Sequence, residues 1–464
     1  MHSAHRRPVN PPTGRASSAT TRRRLAGLGA ALTVTALTAT ALTAAPATAA
    51  TRTAVTGTSG ATTGQARLTL PRPTGPDQVG TVELRLVDHS RKDPWVPSVP
   101  YRELMVSVRY PARDADRYPR APQMLPGAAA GFDALDNFGG KIPKGKVDWA
   151  GTLSYAHEGA PVARGRGRLP VVLYSPGVGD PRTLGTTLGD ELASHGYVVV
   201  TIDHTYDASA VEFPHGRVEK SVLPAALAAT GGDPAKVIAL LRRTVDARVA
   251  DTRSVLDAVD ALAAGHDPDA DGRRLPRGLA GALDPHHVGM FGQSAGGMAA
   301  LETMHEDPRL AAGVDMDGVL AYEQDDHTPG NPFPVARSGL RKPFMLMGEE
   351  GDDHTTVPSW GLLWEHSDGW RRDLTLLGGR HASFTDAESM VPQIARQLRL
   401  PRSTVTALVG TAGPARAVAA QEAYLTAFFD RWLRGRDSTL LDGPSPCHPQ
   451  IRFAGSAGGD RAGR

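Results

Sequence analysis

The pattern of apolar and polar residues changes part-way along the chain. Near residue 80, apolar residues alternate with polar ones at Val82, Leu84 and Leu86, which predicts a half-buried strand. A second strand is predicted in RELMVSVRYPA. Further on, short apolar runs such as residues 198–202 alternate with helical segments such as residues 237–263. The early part therefore predicts paired strands, and the later part predicts alternating strands and helices.

Alternating strands and helices predict an α/β fold with a mostly parallel central sheet and helices on both of its faces. The two early strands are expected to form an antiparallel N-terminal edge. We expect one catalytic domain over residues 67–440, preceded by a flexible lead-in at 51–66 and followed by a C-terminal tail at 441–464.

The N-terminal 50 residues have the layout of an export signal. A basic start is followed by an apolar stretch rich in alanine and threonine and by small residues, with cleavage expected after Ala49 or Ala50. Adjacent Arg22 and Arg23 are compatible with a twin-arginine signal. The sequence therefore predicts a secreted protein, and the alternative is an uncleaved membrane anchor.

Composition narrows the class of function. The formal net charge of +2 leaves no basic field of the kind that binds nucleic acid. Cys447 is the one cysteine, so no intramolecular disulfide can form. No spaced set of ligands for a metal is evident. We therefore expect no cofactor, no metal and no obligate protein partner.

The segment VGMFGQSAGGMAA, residues 288–300, predicts a strand, a tight turn and a helix. Ser294 lies at the centre of a Gly-x-Ser-x-Gly motif, in which the flanking glycines remove side-chain clashes at the turn. A serine placed there lies at the N-terminus of a helix, where backbone N–H groups favour developing negative charge. Ser294 is therefore the candidate nucleophile.

A serine nucleophile needs a general base and an acid that orients the base. His381, in a glycine-rich loop after a predicted strand, follows the serine in chain order and is the candidate base. The acid is either Asp317, at the exit of the strand after the nucleophile helix, or Asp352 or Asp353 after the next strand. The residue pattern alone does not decide which of these two loops supplies the acid.

Two backbone N–H groups are needed to hold the oxyanion of an acyl-transfer reaction. The residue after the nucleophile, Ala295, is expected to supply one of them. The other is expected from the loop after an early strand, where Gly177 and Gly179 surround Val178. Glycines there allow the backbone to approach a substrate closely.

Taken together, these motifs resemble the α/β-hydrolases, and more narrowly the plasma and bacterial branch of the platelet-activating-factor acetylhydrolase family. The resemblance extends from about Pro73 to Gly435. It is carried by the motifs PTGPDQVG, YSPGVG, ELASHGYVVVTIDH, GQSAGG, VDMDG and HASFTD.

The resemblance implies a serine carboxylic-ester hydrolase that needs no cofactor. It places the acid at Asp317 and the oxyanion donors at Val178 and Ala295. The chain departs from the family pattern at Gln293, where the family often has His, and at Ala295, where eukaryotic members carry Phe. These departures concern the substrate more than the chemistry.

The predicted function is therefore that of a secreted acetylhydrolase, similar to a phospholipase A2, acting on short acyl esters through an acyl-enzyme. A small ester or lipid is the expected substrate, with transient contact to a lipid surface. The enzymatic alternatives are a cutinase-like polyesterase or lipase and an amide-cleaving hydrolase. The alternative of another class is an exported binding protein without turnover.

Overall fold

The computed structural model describes residues 64–163, 165, 167–324 and 330–458. The expected export signal and all but the last three residues of the expected lead-in lie outside this part of the chain. The described residues all belong to one compact unit.

One large sheet organises the described residues. Its eleven strands have the order β13-β12-β11-β10-β9-β5-β6-β2-β1-β4-β3, and β7 and β8 pair with each other apart from it. The strands are β1 (Gln78–Asp88), β2 (Arg102–Ala112), β3 (Arg120–Pro122), β4 (Leu153–Glu158), β5 (Leu169–Ser175), β6 (Val198–Asp203), β7 (Ala210–Glu212), β8 (Val218–Lys220), β9 (Leu283–Gln293), β10 (Leu310–Met316), β11 (Phe344–Gly348), β12 (Arg371–Leu376) and β13 (Ile451–Ala457).

The centre of the sheet is parallel, as the alternating pattern predicts. Strands β6, β5, β9, β10, β11 and β12 pair in parallel. Strand β2 is antiparallel to both β6 and β1, which confirms the antiparallel N-terminal part of the sheet. Because the parallel strands all end at one edge of the sheet, the loops that follow them converge there.

The C-terminal end of the fold differs from the expectation of a tail at 441–464. Strand β13 lies in that stretch and pairs antiparallel with β12, closing the far edge of the sheet. Ile451 is buried at its start, and Phe453 packs partly buried against the core. The apolar pattern of this strand is weak in the sequence because glycine, alanine and serine interrupt it. The strand forms because its backbone can pair with the open edge of a neighbouring strand.

Helices cover both faces of the sheet. The helices are α1 (Pro126–Leu135), α2 (Asn137–Gly140), α3 (Thr186–Ser194), α4 (Leu223–Ala229), α5 (Pro234–Ala263), α6 (Ala295–Glu306), α7 (Pro334–Ser338), α8 (Pro358–His366), α9 (Ala387–Leu398), α10 (Arg402–Val409) and α11 (Pro414–Arg434). Among the described residues, none of these helices has the length and apolar character of a membrane span.

Strand β5 shows how the two layers of core form. Val171 and Leu173 join the core on the face covered by α5 and α6, whereas Val172 and Tyr174 join the core beneath α3 and α11. Successive side chains of a strand point to opposite faces, so a strand covered on both sides is apolar throughout. This accounts for the continuous apolar run in the sequence.

The packing of α11 on the sheet gives a test of the fold. Phe429 is fully buried, and its ring lies against Gly289 of β9. We expect Phe429→Ala to lower the free energy of unfolding by about 3–5 kcal/mol, because it removes a buried aromatic ring and leaves a cavity. Urea denaturation measures the loss, with Phe453→Ala on β13 as a half-buried control that should lose less. Equal losses in the two variants would contradict this packing.

Candidate active site

The candidate nucleophile occupies the turn between β9 and α6. Ser294 directly follows β9, directly precedes α6 and has φ 55° and ψ −124°. Such a backbone costs on the order of 1–3 kcal/mol for a residue with a side chain, so the surroundings must hold it. The Ser294 N–H donates to the Met316 carbonyl oxygen of the neighbouring strand at 2.9 Å. The turn is thus tied to the end of β10.

Two glycines of the motif are needed for steric reasons. A Cβ at Gly292 would clash with the backbone of Gly296, across the turn. A Cβ at Gly296 would clash with the carbonyl oxygen of Ser175, at the end of β5. The first glycine therefore lets strand and helix meet, and the second lets the loop after β5 approach Ser294.

The candidate base and acid are joined directly. Nδ1 of His381 and Oδ2 of Asp317 are 2.6 Å apart. The other oxygen of Asp317 accepts a hydrogen bond from the Glu349 N–H at 2.8 Å. With both oxygens engaged, the carboxylate fixes the orientation of the imidazole and leaves Nε2 as the ring atom that can exchange a proton.

Two contacts bring this pair to the candidate nucleophile. Gln293, immediately before Ser294, donates from Nε2 to the carbonyl oxygen of His381 at 3.3 Å. Ser294 is also bonded to Met316, immediately before Asp317. Within the described part of the chain, the Ser294 hydroxyl and the imidazole form no hydrogen bond with each other. Such bonds are often long without substrate and shorten when it binds.

The alternative acids lie close by but are engaged differently. The Asp353 carboxylate accepts from the Thr355 N–H at 2.8 Å and pairs with Arg452 at 3.0 Å. Asp352 accepts through its backbone oxygen from the Thr375 hydroxyl at 3.2 Å. In this structure, Asp317 rather than either alternative binds His381.

Several acidic groups surround the imidazole and influence its pKa. Burial works against the charged ring, but the hydrogen bond and negative charge of Asp317 outweigh it and raise the pKa of His381 above the ordinary 6.5. Glu349 and Asp352 raise it further. Burial, with the charges of Asp317 and Glu349, raises the pKa of Asp352 to about 7. This carboxyl group is therefore only partly charged near neutral pH.

The two candidate oxyanion donors belong to the loop after β5 and to the start of α6. Val178 is half-buried in the loop after β5, and Ala295 is buried at the first position of α6. Neither backbone N–H donates a hydrogen bond to another described residue. Gly296 lies against Ser175 and Pro176, so the start of α6 lies next to the loop after β5. Each N–H is therefore a candidate donor to the carbonyl oxygen of a bound ester.

Sequence analysis missed a group of buried polar residues behind this loop. Arg248 and Asp207 form an ion pair, and Ser175 Oγ is 2.9 Å from Nε2 of His204. Arg248 lies on the buried stripe of α5, between Val245 and residues 252 and 255. A charged residue on the apolar stripe of an amphipathic helix is the signal that would have identified it.

One cluster has the composition of a metal site. Asp353, His354 and Asp373 each offer one ligand atom, and these atoms lie within 4.8 Å of one another. His354 Nδ1 is already 2.6 Å from an oxygen of Asp373, and Arg452 pairs with Asp353. These internal partners account for the cluster, and we assign it no metal.

Comparison with known proteins places the chain in a family. Residues 66–405 match the model of the family described as platelet-activating factor acetylhydrolase, isoform II. A probable 1-alkyl-2-acetylglycerophosphocholine esterase of Arthroderma benhamiae is 28% identical over 405 residues, which cover 83% of this chain and 93% of that protein. A platelet-activating factor acetylhydrolase of Cavia porcellus is 24% identical over 58% of this chain and 59% of its own length.

A solved structure supports the fold and an esterase. The ferulic acid esterase from Streptomyces cinnamoneus is 35% identical, with a TM-score of 0.65, and the match covers 84% of this chain and all of that one. The expected α/β-hydrolase fold and the expected family are thereby confirmed. It follows that the chain is a carboxylic-ester hydrolase and belongs to the platelet-activating factor acetylhydrolase, isoform II family.

Proposed function

We propose that this protein is a secreted serine hydrolase that removes short acyl groups from lipid esters, in the manner of an acetylhydrolase or phospholipase A2. The observation that carries the proposal is the Asp317–His381 hydrogen bond of 2.6 Å, formed beside a strained serine that heads a helix. The names of the fungal and guinea-pig relatives favour an acetyl ester of a glycerophospholipid.

The proposed reaction proceeds through an acyl-enzyme. His381 Nε2 takes the proton of the Ser294 hydroxyl as its oxygen attacks the ester carbonyl, while Asp317 stabilises the imidazolium through Nδ1–H. The N–H groups of Val178 and Ala295 hold the tetrahedral oxyanion. Collapse breaks the bond to the alcohol, which receives the proton from His381. Water, deprotonated by His381, then releases the acid and restores Ser294.

A second candidate substrate is an aromatic acyl ester. It is favoured by the 35% identity to a ferulic acid esterase over 84% of this chain. Both candidates use the same chemistry and differ in the acyl group that the pocket must hold. The polyesterase or lipase alternative differs in requiring room for a long chain or a polymer.

Export is part of the proposal and rests on the sequence of residues 1–50, which lie outside the described residues. The supporting features are the basic start, the apolar stretch and the small residues before Ala50.

The catalytic domain that we propose spans residues 67–440, and β13 extends its sheet beyond that boundary.

Replacing the candidate nucleophile tests the mechanism. Ser294→Ala should lower kcat on p-nitrophenyl acetate by about 10⁶-fold, because the remaining groups can only bind and polarise the ester. Labelling with a fluorophosphonate probe should be lost in the same variant. Full activity without Ser294 would refute the acyl-enzyme. A folded wild-type protein that neither turns over esters nor takes the probe would favour a binding protein instead.

Replacing the candidate acid tests its assignment. Asp317→Asn should lower kcat by about 10³–10⁴-fold, since an amide no longer stabilises the imidazolium or fixes its tautomer. Asp353→Asn is the matched control and should lose far less, because that carboxylate pairs with Arg452. Steady-state kinetics on one ester compares the two variants. The reverse order of losses would move the acid to the loop after β11.

The raised pKa of His381 predicts the pH dependence. The base must be neutral, so kcat/KM should fall with decreasing pH through a pKa above 6.5. Asp352→Asn removes a nearby negative charge that favours the imidazolium. The acidic limb should therefore move to lower pH, with little change in rate on the alkaline plateau. A pH profile of both proteins measures the shift, and a limb that moves upwards would contradict this electrostatic account.

A panel of esters separates the candidate substrates. We expect the highest kcat/KM on an acetyl ester of a glycerophospholipid, lower values on a feruloyl ester, and the lowest on a long-chain triglyceride and a polyester film. A feruloyl ester cleaved faster than the acetyl phospholipid would select the second candidate.

A further inference from the structure

We propose that Arg248 and Asp207 are positioning residues that hold the loop of residues 176–179, here called the oxyanion loop, so that the Val178 N–H points free into the site. The inference deepens the proposed function and rests on it, since it assigns a cause to the geometry of one proposed oxyanion donor. It concerns a buried ion pair that sequence analysis did not single out.

The guanidinium of Arg248 binds the carbonyl side of the oxyanion loop. Nη1 donates to the Pro176 carbonyl oxygen at 2.5 Å, and Nη2 donates to the Gly177 carbonyl oxygen at 2.9 Å. These carbonyls belong to the two peptide units that precede Val178. With these two oxygens drawn towards Arg248, the peptide planes before Val178 have little freedom to rotate.

The carboxylate of Asp207 binds the other side of the loop. It accepts from the Gly179 N–H at 3.0 Å, while its two oxygens accept from Nε and Nη2 of Arg248 at 2.7 and 2.8 Å. The Gly179 carbonyl oxygen in turn accepts from the Ser209 N–H at 2.6 Å. Backbone groups before and after Val178 are thus held, while the Val178 N–H donates to no other described residue.

Every donor of the guanidinium is used in this arrangement. Nε binds Asp207, Nη1 binds Pro176 and lies 3.3 Å from Ser175 Oγ, and Nη2 binds Gly177 and Asp207. A guanidinium has five N–H donors in a fixed planar fork, whereas an ammonium is a single point with three. Lysine cannot reproduce this set of bonds.

The pair is deeply buried, which argues for a specific role. Both side chains are 1% exposed. A buried ion pair contributes little net stability compared with apolar residues of the same size, because both charges lose their hydration. What the pair provides here is direction, since three hydrogen bonds from its two side chains converge on one short loop. Its removal should therefore affect the position of Val178.

A second buried chain of hydrogen bonds extends the support. Arg248 donates to Ser175 Oγ at 3.3 Å, Ser175 Oγ is 2.9 Å from His204 Nε2, and His204 Nδ1 is 2.9 Å from Asp251. Burial and the charge of Arg248 lower the pKa of His204, so its ring is neutral and Nε2 accepts. Ser175, His204 and Asp251 are linked in the same way as the serine, histidine and aspartate of a catalytic triad. At most 1% of each residue is exposed, so no substrate reaches Ser175.

The experiment measures binding of a transition-state mimic. A trifluoromethyl ketone forms a hemiketal with the nucleophile, and its oxyanion occupies the place of the tetrahedral intermediate. Asp207→Asn and Arg248→Lys should lower kcat by about 10–100-fold, since loss of a whole oxyanion donor costs about 10²–10³-fold. KM should change less than threefold, and Ki for the ketone should rise in proportion to the loss of kcat/KM.

The matched control is Arg109→Lys. Arg109 forms a buried ion pair with Asp190 and makes no hydrogen bond to the oxyanion loop among the described residues. This variant should lose thermal stability to a similar extent, with kcat/KM and Ki within about threefold of wild type. If Arg248→Lys does not fold, Asp207→Asn carries the test, because it keeps the shape of the side chain and removes its charge.

The outcomes separate the two proposals. If Asp207→Asn lowers Tm as the control does but leaves Ki unchanged, the pair is structural only and the inference fails, while the proposed function stands. If the ketone does not inhibit the wild-type protein, or still inhibits Ser294→Ala equally well, the proposed function fails and the inference fails with it. A parallel rise in Ki and fall in kcat/KM supports both.

Discussion

The arrangement of this site depends on the backbone of one residue, Ser294, which stands at φ 55° between a buried strand and a buried helix. A residue with a side chain holds that conformation only where its neighbours leave no alternative. Here the N–H of Ser294 is bound by the end of β10, and the two glycines of the motif allow the strand, the helix and the loop after β5 to meet. The same close approach places the loop that carries Val178 next to the start of α6, which carries Ala295.

The neighbouring acid is held by a second tight turn. Asp317 has φ 66°, and the turn that contains it is closed by the Gly318 N–H donating to the carboxyl group of Asp315 at 2.9 Å. Burial, with the charge of Asp317, raises the pKa of Asp315 well above its usual range. Burial therefore disfavours a negative charge on Asp315, two residues from the carboxylate that is hydrogen-bonded to His381.

Two buried ion pairs lie at the carboxyl edge of the parallel strands, beside the loop that follows β6. Arg248 with Asp207 and Arg102 with Asp251 are buried pairs, and each is bonded on several sides. In the protein interior, where polarity is low, a network whose polar groups are all hydrogen-bonded fixes the geometry of its members. A network that leaves polar groups without hydrogen bonds lowers stability. The core below it, built from the two apolar layers on the sheet, gives this polar edge a rigid support.

The sequence by itself determined the class of fold, the strand–turn–helix segment around Ser294 and the choice of His381 as the candidate base. Period-two alternation, continuous apolar runs and the Gly-x-Ser-x-Gly motif are local signals, because they reflect which face of a strand is buried and which residues fit a tight turn. The choice of Asp317 over Asp353 came from resemblance. The residue pattern of the two loops could not decide between these acids, since both loops reach the same edge of the sheet.

The tertiary structure decided what depends on contacts between distant segments. It brought Asp317 to His381, paired Asp353 with Arg452, and placed β13 at the edge of the sheet. It also brought Arg248 to the oxyanion loop, across 71 residues of sequence from Gly177. No local pattern encodes such partners, because a hydrogen bond between distant residues is fixed only when the whole sheet has set their separation and direction.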